Sequence, residues 1–302
     1  MKKYIVDTSE ILTAHVDLNE DFHYYRIEPF IKRVERNLIC KYISRAQYKA
    51  FLQTDISDVD VLEVIDHLEA AISNLALMNA MVHLQNAVGN VGADEENKRE
   101  WWRDRDLLRS YRTMGMESLD MALNIMAERI DLFPFYRNSE PFTKTQKLII
   151  NSPQGFNEYI DISESRLTFE ALIPLMKFIQ ISEFTDIDKA IFLNPTSAIQ
   201  RDAVFYLKAI IAHRTKAQAI VSNKFSFDGF GFSYKVELLP WELKLKLDKD
   251  ILERQIKNEL DMASTYRDQM WEIMNAHKSE FNIPEEKEVN FITKNQSSFG
   301  LI

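Results

Sequence analysis

Apolar residues recur every three or four positions along most of this chain, so the chain reads chiefly as helix. From Glu28 to Cys40, Phe30, Ile31, Val34, Leu38 and Ile39 fall at helical spacing. Ser44 is placed to cap a short helix ending near Leu52, and Ser57 to cap the next one. That next segment is long. Val61, Ile65, Leu68, Ile72, Leu75, Met78, Met81 and Leu84 keep the period until Gly89 and Gly92. A second long helix opens in the acidic run Asp94, Glu95, Glu96, where negative charge suits a helix N-terminus. It carries Trp101, Leu108, Tyr111, Leu119, Leu123, Met126 and Ile130 on one face, and Gly115 inside it marks a break or a close helix contact. Pro134 and Pro141 close the segment, and the two helices make a helical hairpin.

The middle is less regular. Leu148 to Ile150 and Tyr159 to Ile162, around Asn151-Ser152-Pro153-Gln154-Gly155, read as two short strands and a turn. A helix follows from Arg166 to Ile181 with Pro174 as a kink, and Asn194-Pro195-Thr196 breaks the chain. A third long helix carries Ala203, Leu207, Ile210, Ile211 and Ala217. Phe225, Phe227, Phe230, Phe232, Tyr234 and Val236 then alternate around Asp228-Gly229, which predicts a β-hairpin. Pro240 starts a last long helix, running from Glu242 to Lys278, and a tail follows Pro284. Residues 1–23 show only weak alternation. The predicted fold is mainly α: a long-helix bundle with one or two small β-hairpins and an extended C-terminal tail. The predicted regions are a helical bundle over 1–184, a helical region with its hairpin over 185–284, and the tail over 285–302.

Composition sharpens this picture by exclusion. With 46% hydrophobic and 27% charged residues the chain has an ordinary globular balance, so wholesale disorder is excluded. Its 7 Gly and 8 Pro are too few for a turn-rich β-sandwich. The single cysteine, Cys40, excludes an internal disulfide framework and a multi-Cys zinc site. The net charge is −9 and both halves are acidic, which makes general nucleic-acid binding a poor expectation, since phosphate neutralisation needs clustered Lys and Arg. Asp7 and Glu10 interrupt any signal-like apolar run, and no stretch has the uncharged length of a membrane span, so the expected localisation starts in the cytoplasm.

Catalytic signatures are missing: no Walker loop, GxGxxG, HExxH, GxSxG or CxxC occurs. His67 and His83 lie on nearly opposite faces of one helix, so they cannot share a metal within the chain. Neither an enzyme activity, nor a cofactor, nor a metal is expected. Two features stand out instead. Residues 26–49 hold seven basic groups (Arg26, Lys32, Arg33, Arg36, Lys41, Arg45, Lys49) against two acidic ones, and residues 55–69 hold six acidic groups (Asp55, Asp58, Asp60, Glu63, Asp66, Glu69) and no Lys or Arg. Either the two segments solvate or pair within the monomer, or the positive face of one copy meets the negative face of the next and builds a ring. The second feature is the apolar set Phe291, Ile292, Phe299, Leu301 and Ile302, in a tail too short to form a core. Either it folds back on its own domain, or it is an arm that reaches a neighbour.

One resemblance gives these features a setting. The pattern Phe30-Ile31-x-x-Val34-Glu35-x-x-Leu38-Ile39-x-x-Tyr42-Ile43, then Tyr48-x-x-Phe51-Leu52, continues through Ala70-Ala71-Ile72-Ser73-Asn74-Leu75-Ala76-Leu77 and Trp101-Trp102. It takes in Asp106-Leu107, Tyr111, Gly115, Leu119-Asp120, Phe135, Ser139 and Arg166-Leu167-Thr168-Phe169-x-x-Leu172-x-Pro174. Over most of residues 20–180 this resembles a family of proteins of similar length and unassigned function, found in Bacteroidetes genomes and their phages. The opening helices are also similar to those of tailed-phage head–tail connectors. The resemblance rests on packing residues and carries no catalytic residue. It implies a virion structural protein at the head–tail junction: a connector or adaptor forming a ring, of about twelve copies by analogy. The implied partners are its own copies, the portal protein and a tail or second neck protein. DNA would pass through the ring without being specifically bound, an acidic lining letting it slide. The alternative is a helical interaction scaffold of the bacterial cytoplasm, unrelated to virions.

Overall fold

The computed structural model describes residues 2–16, 23–53, 56–88, 101–185, 187–222, 225–228, 231–234 and 249–283. The chain is mainly helical and divides into two compact units: Met1–Lys147 with Ser165–Glu170, and Leu148–Glu164 with Ala171–Ile302.

The first unit begins with α1 (Ser9–His15), a helix that the weak alternation of residues 1–23 did not foreshadow. Thr8 caps it by accepting the Ile11 N–H at 3.3 Å, and Leu12 buries its inner side. The next helix comes in three pieces: α2 (Glu28–Val34), a π-helical segment over Glu35–Ile39, and α3 (Cys40–Ile43). Ser44, at φ 73°, turns the chain, and its side chain accepts the Gln47 N–H to start α4 (Arg45–Phe51), as the sequence predicts. The long α5 (Val59–Val88) is capped one residue later than expected. Asp58, not Ser57, accepts the N–H groups of Asp60 and Val61, at 3.0 and 3.2 Å. A carboxylate in that place also meets the positive end of the helix dipole.

α6 (Trp101–Glu128) packs against α5. Every residue from Ala71 to Met78 is buried, so the middle of α5 is surrounded on all sides. Gly115 is what lets α6 approach it. A Cβ there would stand 2.6 Å from Leu75 Cγ and 3.2 Å from the Ala71 carbonyl oxygen, so the expected close helix contact is real. Two proline-led helices, α7 (Pro134–Arg137) and α8 (Glu140–Thr143), end the stretch. Gly89, Gly92 and the Asp94–Glu96 run lie outside the described residues.

In the second unit the two strands predicted around residues 148–162 are replaced by α9 (Pro153–Asn157). Pro153 sits at the start of that helix and Ser152 accepts the Gly155 N–H at 3.1 Å, both of them helix-start signals that override the short apolar runs. Leu148, Ile150, Phe156, Ile160 and Ile162 are buried all the same. Side chains do the work of a strand ladder: Gln180 Oε1 accepts the Ile149 N–H at 2.7 Å, and Asn157 Oδ1 accepts the Ile162 N–H at 2.7 Å. α10 (Arg166–Glu183) follows with Pro174 inside it, then α11 (Lys189–Leu193), capped by Asp188. α12 (Ala198–Val221) starts from a reciprocal capping box between Ser197 and Gln200.

β1 (Phe225–Asp228) and β2 (Gly231–Tyr234) pair antiparallel, with Phe225 opposite Tyr234 and Phe227 opposite Phe232. They form the one strand pair among the described residues. α13 (Lys249–Ala276) packs on α12. The region boundary expected at 184/185 is displaced. Residues 148–164 and 171–184 belong with the later helices, because Glu183 pairs with Arg214 and Arg267 and Gln180 holds Ile149. The start of the last helix predicted over 242–248 and the tail, 285–302, lie outside the described residues.

Candidate interaction surface

The basic segment lies on one surface because its apolar partners lie on the other. Ile27, Ile31, Val34, Ile39, Tyr42, Ile43 and Phe51 are buried, which turns Arg26, Lys32, Arg33, Arg36, Lys41 and Arg45 into solvent. Among the described residues none of these six forms an ion pair; Lys41 lies 5.5 Å from the centre of the Tyr42 ring.

The inner side is pinned by a carboxylate. Glu35 opens the π-helical segment and is fully buried. Its Oε1 accepts the N–H groups of Ile5 and Val6, at 2.8 and 3.3 Å, and its Oε2 accepts the Tyr48 hydroxyl at 2.5 Å. Tyr24 in turn donates its hydroxyl to the Val6 carbonyl at 2.8 Å. Burial pushes the Glu35 carboxyl up to about 7, and the three hydrogen bonds only moderate that rise. The sequence reading gave Glu35 no role, since nothing local marks an acid as the anchor of a segment some thirty residues earlier.

The acidic segment behaves differently. α2 packs on α5, yet among the described residues no ion pair joins the six cations to the acidic residues predicted to answer them. Asp60 instead lies 3.2 Å from Arg129, Asp66 approaches His15 at 3.7 Å, and Glu69 holds Lys2 at 3.3 Å. Asp58 is exposed and spends its carboxylate on the cap of α5, and Glu63 is exposed. The acidic stripe is thus partly answered within the chain, by residues outside the predicted basic set. The basic face is not answered by the acidic one.

Between the two lies an aromatic ridge. Phe135 on α7 is 53% exposed and borders two open depressions. One, of about 390 Å³, is lined by Ala50, Phe51, Asp58, Val61 and Leu132. The other, of about 570 Å³, is lined by Cys40, Lys41, Asn138, Glu140 and Lys144. Val59, Leu62 and Leu132 are exposed as well. A large exposed aromatic thus stands beside apolar shelves, with Asp58 on one flank and Lys41, Glu140 and Lys144 on the other.

Elsewhere polar side chains are drawn together by burial and charge. In the first unit Arg166 is buried against Glu170, at 3.4 Å, and lies 6.0 Å from the Phe142 ring. Burial raises Glu170 to about 7 and Tyr136 to about 12. Asp120, also raised by burial, accepts the Leu167 N–H at 2.8 Å and so caps α10. In the second unit His213 Nδ1 meets Glu259 Oε2 at 2.7 Å, Lys216 meets the other oxygen at 2.7 Å, and the Tyr266 ring stacks on His213. Burial alone would raise Glu259, but the hydrogen bonds from His213 and Lys216 outweigh it and hold the carboxyl below its usual range. One further cluster mixes ligand types: His15, Asp66 and Glu69 bring one imidazole nitrogen and two carboxylate oxygens within 4.8 Å of one another. Sequence reasoning missed it because His15 lies more than fifty residues before Asp66 and Glu69. No helix among the described residues is long and apolar enough to cross a membrane. No family model, curated protein or solved structure matches the chain.

Proposed function

We propose that this protein is a structural assembly protein that binds copies of itself through the charged surface of the first unit, in a ring that serves as a head–tail connector of a tailed phage. The observation that carries the self-association is the basic face: six exposed cations without an ion-pair partner among the described residues, beside an exposed Phe135 and an edge bearing Asp58 and Glu63. A head-to-tail contact that sets this face against the acidic edge of the next copy closes into a ring when the rotation closes. The charges would fix register and the apolar ridge would supply most of the affinity. The virion setting, with a portal and a tail or second neck protein as partners, rests on the sequence resemblance over residues 20–180. The net charge of −9 is compatible with DNA passing without sticking. The tail residues Phe291, Ile292, Phe299, Leu301 and Ile302 are proposed as the arm between rings; they lie outside the described residues.

Light scattering of the purified protein, with and without its portal, tests this reading. A closed ring at low salt is expected, its affinity weakening but not vanishing as ionic strength rises from about 0.1 M to about 1 M. Arg33→Glu with Arg36→Glu should abolish the ring, and adding Asp58→Lys with Glu63→Lys should restore part of it. A protein that is monomeric at every concentration and ignores the portal ends the proposal. One that self-associates but ignores the portal leaves the cytoplasmic scaffold.

A further inference from the structure

The surface on which α1 meets α5 holds a set of side chains that the assembly reading does not use. Leu12 and Val16 are buried, 1% and 5% exposed, and fix α1 in place. His15, in the last turn of that helix, is thereby directed at α5, where Asp66 and Glu69 stand three residues apart on one face. His15 Nε2 lies 3.7 Å from Asp66 Oδ1 and 3.9 Å from Glu69 Oε2. The remaining Glu69 oxygen, Oε1, is held by Lys2 Nζ at 3.3 Å. We propose that His15, Asp66 and Glu69 form a site for a divalent transition-metal ion, with zinc the best fit.

Three arguments carry this. The first is geometric. A tetrahedral zinc with bonds of about 2.0–2.1 Å spaces its ligand atoms about 3.3 Å apart. The three atoms already lie within 4.8 Å of one another, and the two nitrogen–oxygen gaps exceed the ideal by about half an ångström. The Asp66 side chain is 70% exposed, so a small rotamer change closes its gap without disturbing the core. The second is the donor set. One imidazole and two carboxylates neutralise a dication, and the imidazole favours zinc, cobalt or nickel over magnesium and calcium, which take oxygen ligands. The third is the outer layer. Lys2 engages one Glu69 oxygen and leaves the other free, the arrangement that orients a monodentate carboxylate ligand. The exposed Asp66 side leaves the fourth position to water. A bound ion would tie α1 to α5.

The experiment uses full-length protein without a histidine tag. Zinc is titrated by calorimetry, and cobalt is added as a spectroscopic probe of tetrahedral coordination. One ion per chain is expected, with visible cobalt bands and a zinc-dependent rise in Tm. His15→Gln and Asp66→Asn should each weaken binding by at least about tenfold and remove the bands. Lys2→Met should keep the one-to-one stoichiometry and weaken binding less. Both ligand variants change partly exposed side chains, and their circular dichroism should stay that of the parent. The proposal is overturned if zinc at about a hundred micromolar is not taken up, which would mark the cluster as an ion-pair group only. It is equally overturned if uptake survives both ligand variants, which would place the ion on other histidines.

Discussion

In α5 eight consecutive residues, Ala71 to Met78, are buried, and α6 reaches them only because position 115 has no side chain. In α13, among the described residues, only Ala263, Met270, Trp271 and Met274 are buried, and charged groups meet α12 and its neighbours. Glu183 gathers Arg214 and Arg267, and Glu259 gathers His213 and Lys216. The first helix pair is fitted by volume, the second largely by charge. Carboxylates therefore play opposite parts in the two units. In the first, Glu35 and Glu170 are buried with too little compensation and hold their protons to about 7. In the second, cations hold Glu259 below its usual value.

The largest expected consequence is a pH response of opposite sign in the two units. A carboxyl raised from 4.5 to about 7 binds a proton in the folded state that the unfolded chain has already released. Its contribution is whole below about pH 4.5, declines as pH rises through the window, and is gone above about 7. Glu35 alone would cost the first unit up to about 3 kcal/mol across that interval. Glu259 acts the other way: its contribution is present above the unfolded carboxyl pKa and is lost as pH falls through the lowered folded value. Hydrogen exchange corrected for intrinsic rate should show α5 better protected at pH 5 than at pH 7.5, and α13 losing protection only as pH is taken below the ordinary carboxyl value of 4.5. Glu35→Gln should flatten the response of α5 and leave that of α13 alone. A shared sign would erase the contrast.

The next effect tests volume. Gly115→Val drives two methyl groups toward Leu75 and the Ala71 carbonyl, and should destabilise the first unit by about 2–3 kcal/mol, since overpacking strains backbone that cannot yield. Leu75→Ala is costly alone, as Leu75 is only 4% exposed, but in the double variant part of the loss should return. Urea titration of the four proteins gives the coupling, and strictly additive losses would mean that the two side chains do not compete for one space. Neither variant should alter the salt dependence of unfolding.

Salt dependence belongs to the third test. Glu183→Ala removes a carboxylate, 6% exposed, that holds two arginines. Arg214 and Arg267 are 23% and 39% exposed, so both can regain water, which limits the loss to about 2 kcal/mol rather than the larger penalty of a stranded buried charge. Thermal melts at about 0.1 M and about 1 M salt should bring variant and parent closer together as salt rises. A difference unmoved by salt would show that Glu183 matters through packing.

Much of this contrast was legible in the sequence, but unevenly. The three-to-four spacing from Val61 to Leu84, the lone Gly115, the Ser44 start and the Asn194-Pro195-Thr196 break are local signals, and the helices they announce form there. The strands expected around residues 148–162 failed because a short apolar run does not separate a ladder from a buried irregular segment, and the partners that settled the matter, Gln180 and Asn157, act through side chains. The charge asymmetry between residues 26–49 and 55–69 was visible at once. The groups that answer the acidic half, Lys2 ahead of α1, His15 in it and Arg129 just beyond α6, are marked by no sequence pattern. Glu35 was hidden for the same reason. It sits in a basic run like any surface acid, and only the fold brings Ile5, Val6 and Tyr48 to it.

The smallest test compares the two caps. Asp58 starts α5 from an exposed position, through hydrogen bonds to the nearby N–H groups of Asp60 and Val61. Ser197 starts α12 with more at stake. Its hydroxyl accepts the Gln200 N–H at 3.1 Å and donates to the Glu280 carboxylate, while the Gln200 side chain reaches the Glu280 carbonyl at 2.9 Å. That cap therefore also ties the turn after α13 to the start of α12. Ser197→Ala should cost about 1 kcal/mol and Asp58→Ala about half as much. The distinguishing readout is where exchange rises: only in the first turn of α5 for Asp58→Ala, but in both α12 and residues 278–281 for Ser197→Ala. If Ser197→Ala loosens α12 alone, Glu280 is held by Gln200 without help, and the second unit closes its ends as locally as the first.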